Sequence, residues 1–125
     1  MNKPSIYVTR KIPKIGLELL SSHCDITVHE GAEPPDHKKI LSNIQGKDGL
    51  LCMLTDKIDA EIMNASRKLK VISSFSVGVD HIDISQATKM GIYVTHTPGV
   101  LTNATADLAF ALMISAARRI PEGDE

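Results

Sequence analysis

The sequence predicts an α/β protein built on a doubly wound parallel sheet of about five strands, with a long C-terminal helix. Three observations carry that prediction. Short apolar runs alternate with helix-like segments over the first hundred residues. One run, residues 49–54, is apolar at consecutive positions, the pattern of a parallel strand covered on both faces. Aspartates stand ahead of helix-like segments at Asp36, Asp59 and Asp83, and Gly91 follows one of them.

Taken in order, residues 6–9 read as a first strand and residues 14–22 as a helix, with Pro13 suited to its first turn. Residues 25–29 read as a second strand and residues 31–35 as a loop; Asp36 then caps a helix running to about Gln45. The third strand is followed by a short helix opened by Asp59 and ending near Lys68. Residues 71–75 form a fourth strand, Asp83 caps a helix ending at Met90, and residues 92–95 form a fifth strand. Strand and helix repeated this way imply right-handed crossovers and a flavodoxin-like sheet. From residue 102 to 120 there is no helix breaker, and Thr102 can act as the cap. Apolar residues fall on nearly every side of that helix: Leu108, Phe110, Leu112, Met113 and Ile114. Such a helix must be covered on more than one face, which one open sheet does not supply. The expected cover is a second domain or a second subunit.

Composition narrows the function classes. The length of 125 residues suits one domain rather than two. Hydrophobic residues at 42% and charged residues at 23% are ordinary for a soluble globular chain. A net charge of −1 offers no attraction for nucleic acid or an anionic membrane, so neither is an expected partner. The longest apolar stretch, residues 106–117, contains Asp107 and Ser115 and is too short to span a bilayer. No apolar signal core follows Met1, and the expected location is cytoplasmic. Cys24 and Cys52 lie in apolar stretches without C-x-x-C spacing and read as reduced, buried thiols. No two of the five histidines have metal-ligand spacing, so no metal site is expected.

Open parallel sheets bind ligands at the carboxyl ends of their strands. After the fourth strand comes Phe75-Ser76-Val77-Gly78-Val79-Asp80-His81-Ile82-Asp83. Gly78 has no Cβ, so a ligand can approach its backbone, and the N–H groups of Val77 and Gly78 could grip a small carboxylate. The same residues also suit a plain glycine turn that reverses the chain. His81, between Asp80 and Asp83, reads as a surface residue, whereas His96 is the better candidate for a polar contact in the cleft. Arg10, Arg118 and Arg119 read as solvated or interdomain charges.

Residues 71–119 resemble the first half of the D-2-hydroxyacid dehydrogenases, above all in Ser76-Val77-Gly78-Val79-Asp80-His81-Ile82-Asp83 and in Thr95-His96-Thr97-Pro98-Gly99-Val100-Leu101-Thr102-Asn103-Ala104-Thr105-Ala106-Asp107. Upstream, Thr9-Arg10-Lys11-Ile12-Pro13 and Leu54-Thr55-Asp56-Lys57-Ile58 are similar to the glyoxylate/hydroxypyruvate reductase branch. The resemblance implies a small 2-oxo acid substrate, reduced by NAD(P)H in a cleft between two domains. By motif position, the backbone at Val77 and Gly78 would hold the carboxylate and Met53 would line the apolar side of the pocket. Val77 and Thr105 would approach the cofactor. Residues 1–100 would be the substrate-binding domain, and residues 101–125 a hinge helix leading to a nucleotide-binding domain. The family's G-x-G-x-x-G turn has no counterpart here, nor do its catalytic arginine, glutamate and histidine. The expectation is therefore an inactive chain on its own, with no catalytic residue and no tight hold on NAD(P)H, and a homodimer in the whole enzyme. The alternative from another class is a free-standing flavodoxin-like binding or regulatory module.

Overall fold

The apolar runs form strands β1 (Ser5–Val8), β2 (Asp25–Val28), β3 (Gly49–Cys52), β4 (Val71–Ser74) and β5 (Tyr93–Thr95) in a computed structural model that describes residues 3–124. They pair in the order β2-β1-β3-β4-β5, and every pairing is parallel. Between them run α1 (Lys14–His23), α2 (His37–Asn43), α3 (Ala60–Asn64) and α4 (Ile84–Met90), and α5 (Thr102–Arg118) follows β5. A 3-10 turn over Pro121–Asp124 ends the described chain.

Local chemistry sets the helix starts. Asp36 accepts from the N–H of Lys39, Asp59 from those of Glu61 and Ile62, and Asp83 from that of Gln86. Gly91 closes α4 in the left-handed conformation, at φ 68°, where a side chain would be strained. Other boundaries depart from the sequence reading. Pro13 is the cap of α1 rather than part of its first turn. The helix opened by Asp59 stops at Asn64 instead of Lys68, because the buried Ser66 turns inward and donates its hydroxyl to the Lys47 carbonyl at 2.7 Å. Thr102 is not a cap: it is the first helical residue, and Leu101 precedes it with no side-chain hydrogen bond.

The core lies between the sheet and α2, α3 and α4. Ile40 and Ile44, Ile62 and Met63, and Ala87 pack with Tyr7, Leu50, Cys52 and Ile72 of the strands. The other face of the sheet is lighter. Leu51, Val71 and Ser73 are only half-buried, and α1 has no fully buried residue. Apolar burial stabilises at roughly 25 cal/mol per Å², so the α2–α4 face supplies most of the cohesion. α5 leaves the sheet: from Thr102 to Arg118 only Ser115 is less than exposed. No helix among the described residues is long and apolar enough to cross a membrane.

Candidate functional site

Because all five strands run parallel, the loops after β1, β3, β4 and β5 meet at one edge of the sheet. The loop after β3 begins at Met53. Its N–H donates to Asp56 Oδ2 at 2.7 Å, and the Asp56 N–H returns to the Met53 carbonyl at 3.0 Å. The same Oδ2 accepts the Thr9 hydroxyl at 2.5 Å, so a carboxylate only 3% exposed fastens this loop to the end of β1. Burial first, and then the Asp56 charge, push the Tyr7 hydroxyl above its ordinary range. The same two causes, in the same order, push the Cys52 thiol up to about 12. The Tyr7 hydroxyl and Asp56 Oδ1 are buried and have no hydrogen-bond partner among the described residues.

The loops after β3 and β4 are tied together. Phe75 donates to the Cys52 carbonyl at 2.8 Å, Ile58 to the His81 carbonyl at 2.8 Å, and Asp83 to the Ile58 carbonyl at 2.9 Å. Met53, Val77 and Gly78 are thereby held on adjacent loops of one framework.

The backbone of the loop after β4 is polarised. The Ser76 carbonyl accepts from the Thr97 N–H at 2.9 Å, the Val77 carbonyl from His96 Nδ1 at 2.7 Å, and the Gly78 carbonyl from the Ser76 hydroxyl at 2.7 Å. A carbonyl only accepts, so His96 must carry its proton on Nδ1. The N–H groups of Val77 and Gly78, in contrast, have no acceptor among the described residues. Three consecutive carbonyls are satisfied from within, whereas the amides from Ser76 to His81, Val77 and Gly78 among them, have no acceptor among the described residues. An oxyanion is what two adjacent free N–H groups bind best, through charge-assisted hydrogen bonds. Asp80 brings a negative charge to the same loop, but it is exposed and well screened.

Gly78 has no structural need to be glycine. Its φ lies outside the left-handed region, and an added Cβ would meet nothing nearer than Asp80 Oδ2 at 3.7 Å. An added side chain at this position would thus meet no obstacle in the loop.

Beyond this loop, Val77 and Thr105 line one groove of about 470 Å³ together with Leu101, Thr102, Ala106 and Ala109. The walls are mainly apolar, with Thr102 and Thr105 among them. Gly78 and Met53 are not among the groove's lining residues.

His81 is not the surface residue the sequence suggested. It is half-buried, with Nε2 3.0 Å from the Ser74 hydroxyl and 3.9 Å from Cys52 Sγ, and its Nδ1 is shielded from solvent. Burial holds its pKa below the usual imidazole value, against the opposing charges of Asp56 and Asp80. Cys24 also departs from expectation, being half-buried rather than buried; both cysteines are free thiols. Sequence reasoning gave no role to Thr9, Asp56, Ser74 or Ser76. The one available signal was the Ser74-x-Ser76 spacing, which puts two hydroxyls on one face of an extended segment. Away from this edge, His37 Nε2 lies 3.0 Å from Asp59 Oδ2 and 4.0 Å from Glu61 Oε2. Burial raises the Asp59 pKa, but the His37 bond and the amides it caps outweigh this and lower it. A hydrogen bond and helix capping account for the contacts of Asp59 there.

Comparison with known proteins identifies the family. The pattern described as the D-isomer specific 2-hydroxyacid dehydrogenase catalytic domain matches residues 6–119. A glyoxylate reductase of Thermofilum pendens is 57% identical over 126 aligned residues, covering 100% of this chain and 37% of the relative. One from Korarchaeum cryptofilum is 48% identical over 122 residues, covering 98% and 37%. Among solved structures, the TT0316 protein of Thermus thermophilus superposes with a TM-score of 0.87 at 46% identity, covering 95% of this chain and 38% of that one. An NADPH-dependent glyoxylate/hydroxypyruvate reductase of Sinorhizobium meliloti, solved with NADP and malonate, superposes with a TM-score of 0.73 at 32% identity, covering 91% and 34%. The chain thus spans about 37% of the length of the curated relatives it matches. With the family pattern matched over residues 6–119 and the parallel sheet order consistent with it, the chain belongs to the D-isomer specific 2-hydroxyacid dehydrogenase family.

Proposed function

We propose that this chain supplies the acid-binding part of a reductase that converts glyoxylate- or hydroxypyruvate-type 2-oxo acids to 2-hydroxy acids with NAD(P)H. One observation supports the reading: in the loop after β4 the carbonyls of Ser76, Val77 and Gly78 are all engaged, while the amides from Ser76 to His81, Val77 and Gly78 among them, have no acceptor among the described residues. Those two amides hold the substrate carboxylate, and Met53, on the neighbouring loop, lines its apolar side. Val77 and Thr105 contact the cofactor, a reading supported by the mainly apolar groove they share. The cofactor, when bound, supplies the hydride; this chain's own part is to bind and orient the acid.

In the same reading, residues 1–100 are the substrate-binding domain and residues 101–125 the hinge to a nucleotide-binding domain. The exposure of Leu108, Phe110, Leu112 and Met113 supports this, since so much apolar surface on one helix calls for a cover. A cytoplasmic location and a homodimeric whole enzyme belong to the proposal, the second resting on family resemblance. On its own the chain binds weakly. Glyoxylate has about five heavy atoms, and the best ligand efficiency caps its binding near −7 kcal/mol. Without an opposing domain to exclude water, millimolar affinity or weaker is expected.

The test is a chimera that joins this chain through α5 to the rest of the Thermofilum pendens glyoxylate reductase. Glyoxylate-dependent oxidation of NADH or NADPH is expected. A folded chimera that binds cofactor but reduces neither glyoxylate nor hydroxypyruvate would rule the proposal out.

A further inference from the structure

The amides from Ser76 to His81 all lack an acceptor among the described residues, yet only two of their peptides are gripped from outside the loop. The peptide joining Ser76 to Val77 is held at its carbonyl by the Thr97 N–H at 2.9 Å. The peptide joining Val77 to Gly78 is held at its carbonyl by His96 Nδ1 at 2.7 Å. The next two are held from within the same turn, the Gly78 carbonyl by the Ser76 hydroxyl at 2.7 Å and the Val79 carbonyl by the Ile82 N–H at 2.9 Å. The Phe75 and Asp80 carbonyls have no donor among the described residues. A trans peptide is planar, so its N–H points away from the group that holds its C=O. No peptide bond among the described residues is cis. Thr97 therefore sets the direction of the Val77 N–H, and His96 that of the Gly78 N–H. We propose that His96 and the Thr97 backbone form a two-point clamp from the loop after β5, in which His96 is the side chain that orients the Gly78 amide for the substrate carboxylate.

The clamp has physical reasons to be stiff. A separation of 2.7 Å is at the short end for an N–H···O bond, so the imidazole holds the Val77 carbonyl closely. Pro98 restricts Thr97 to extended backbone, which fixes the direction of the other donor. A hydrogen bond accepted by a carbonyl polarises its peptide and strengthens the bond that its N–H donates. His96 is exposed in this chain, so its grip competes with water, and replacing it leaves the core intact. The same segment turns through residues 98–101 into α5, where Leu101 and Thr105 share a groove with Val77. The clamp thereby ties the acid loop to the groove proposed for the cofactor. His96 acts through the peptide, which makes it a positioning residue rather than a catalytic one.

The proposal rests on the acid-site reading, but its first measurement does not. Long-range proton–nitrogen correlation on the ring-labelled 125-residue chain, in mildly alkaline solution, should show His96 protonated on Nδ1, the tautomer its bond to Val77 dictates. Two replacements then separate the donor from the bulk of the ring. Asparagine Nδ2 is bonded to Cγ as histidine Nδ1 is, so it presents a donor at the same place, whereas leucine puts a methyl group there. His96→Leu should move the Gly78 amide resonance and weaken its response to glyoxylate roughly 2- to 13-fold, the worth of one ordinary hydrogen bond. His96→Asn should respond to glyoxylate as the parent does. A His96 protonated on Nε2 alone would overturn the clamp even if glyoxylate binds. So would a His96→Leu chain that binds glyoxylate as well as the parent, or a His96→Asn chain as weak as His96→Leu. An Nδ1 proton with no glyoxylate response at Val77 and Gly78 in the parent would instead overturn the acid-site reading, and with it the positioning role.

Discussion

Gly78→Ala separates function from folding at a single atom. The added Cβ would lie 3.7 Å from Asp80 Oδ2, an ordinary contact, with no other heavy atom as near, and the backbone φ is one that alanine adopts freely. Folding should therefore not suffer. Replacing a glycine in a compatible conformation stabilises by about 0.4–1 kcal/mol, chiefly by restricting the unfolded chain. For a domain of this size that raises Tm by about 1–5 °C. In the proposed reading the methyl group nonetheless crowds an acid held at the amides of Val77 and Gly78. Losing one charge-assisted hydrogen bond to the acid costs about 1.5–3 kcal/mol, or roughly 10- to 150-fold in kcat/KM. Thermal melts of the variant chain and glyoxylate kinetics of the chimera give the two numbers. A Tm several degrees lower, or a kcat/KM within twofold of the parent, would refute the argument that glycine is required here for the ligand and not for the fold.

Asp56→Ala should lower Tm by about 3–15 °C, because Thr9 can turn its hydroxyl to the Leu51 carbonyl but the Met53 N–H is left without an acceptor, at about 1–3 kcal/mol; a melt unchanged within 2 °C would show that Asp56 does not hold the loop. His81 has a folded pKa below its unfolded value of 6.5, so the unfolded chain binds more protons between the two. Stability should accordingly fall as pH drops from about 6.5 through the folded value, and His81→Gln should flatten that part of the denaturant-midpoint profile; an equally steep profile in the variant would assign the loss to other groups. Cys24, half-buried, should react with a maleimide in the native chain, whereas Cys52, buried and with its thiol pushed up to about 12, should react only on unfolding. Equal labelling rates would contradict that burial.

The parts of this fold that are local in sequence could be read from sequence. Asp36, Asp59 and Asp83 cap helices through amides two or three residues away, and the consecutive apolar residues of β3 belong to an interior strand. What depends on distant residues could not. The early end of α3 comes from Ser66 finding the Lys47 carbonyl nineteen positions back in the chain. Asp56 acquires its place only when β1 brings Thr9 beside it. His81 looked exposed because charged neighbours flank it, yet the turn after β4 folds it back onto Ser74. At the candidate site, Gly78 was legible as the glycine of the loop after β4. Its freedom from structural duty became visible only once the surrounding atoms were in place.

The most direct test is an amide titration of the nitrogen-labelled 125-residue chain with sodium glyoxylate, against sodium chloride at matched ionic strength. Progressive shifts centred on Val77 and Gly78, with Met53 following and Lys3, Lys68 and Lys70 at the opposite edge of the sheet unmoved, are the predicted result. Shifts confined to those lysines, or no shift at Val77 and Gly78 beyond the chloride control, would contradict the claim that these two amides hold the acid.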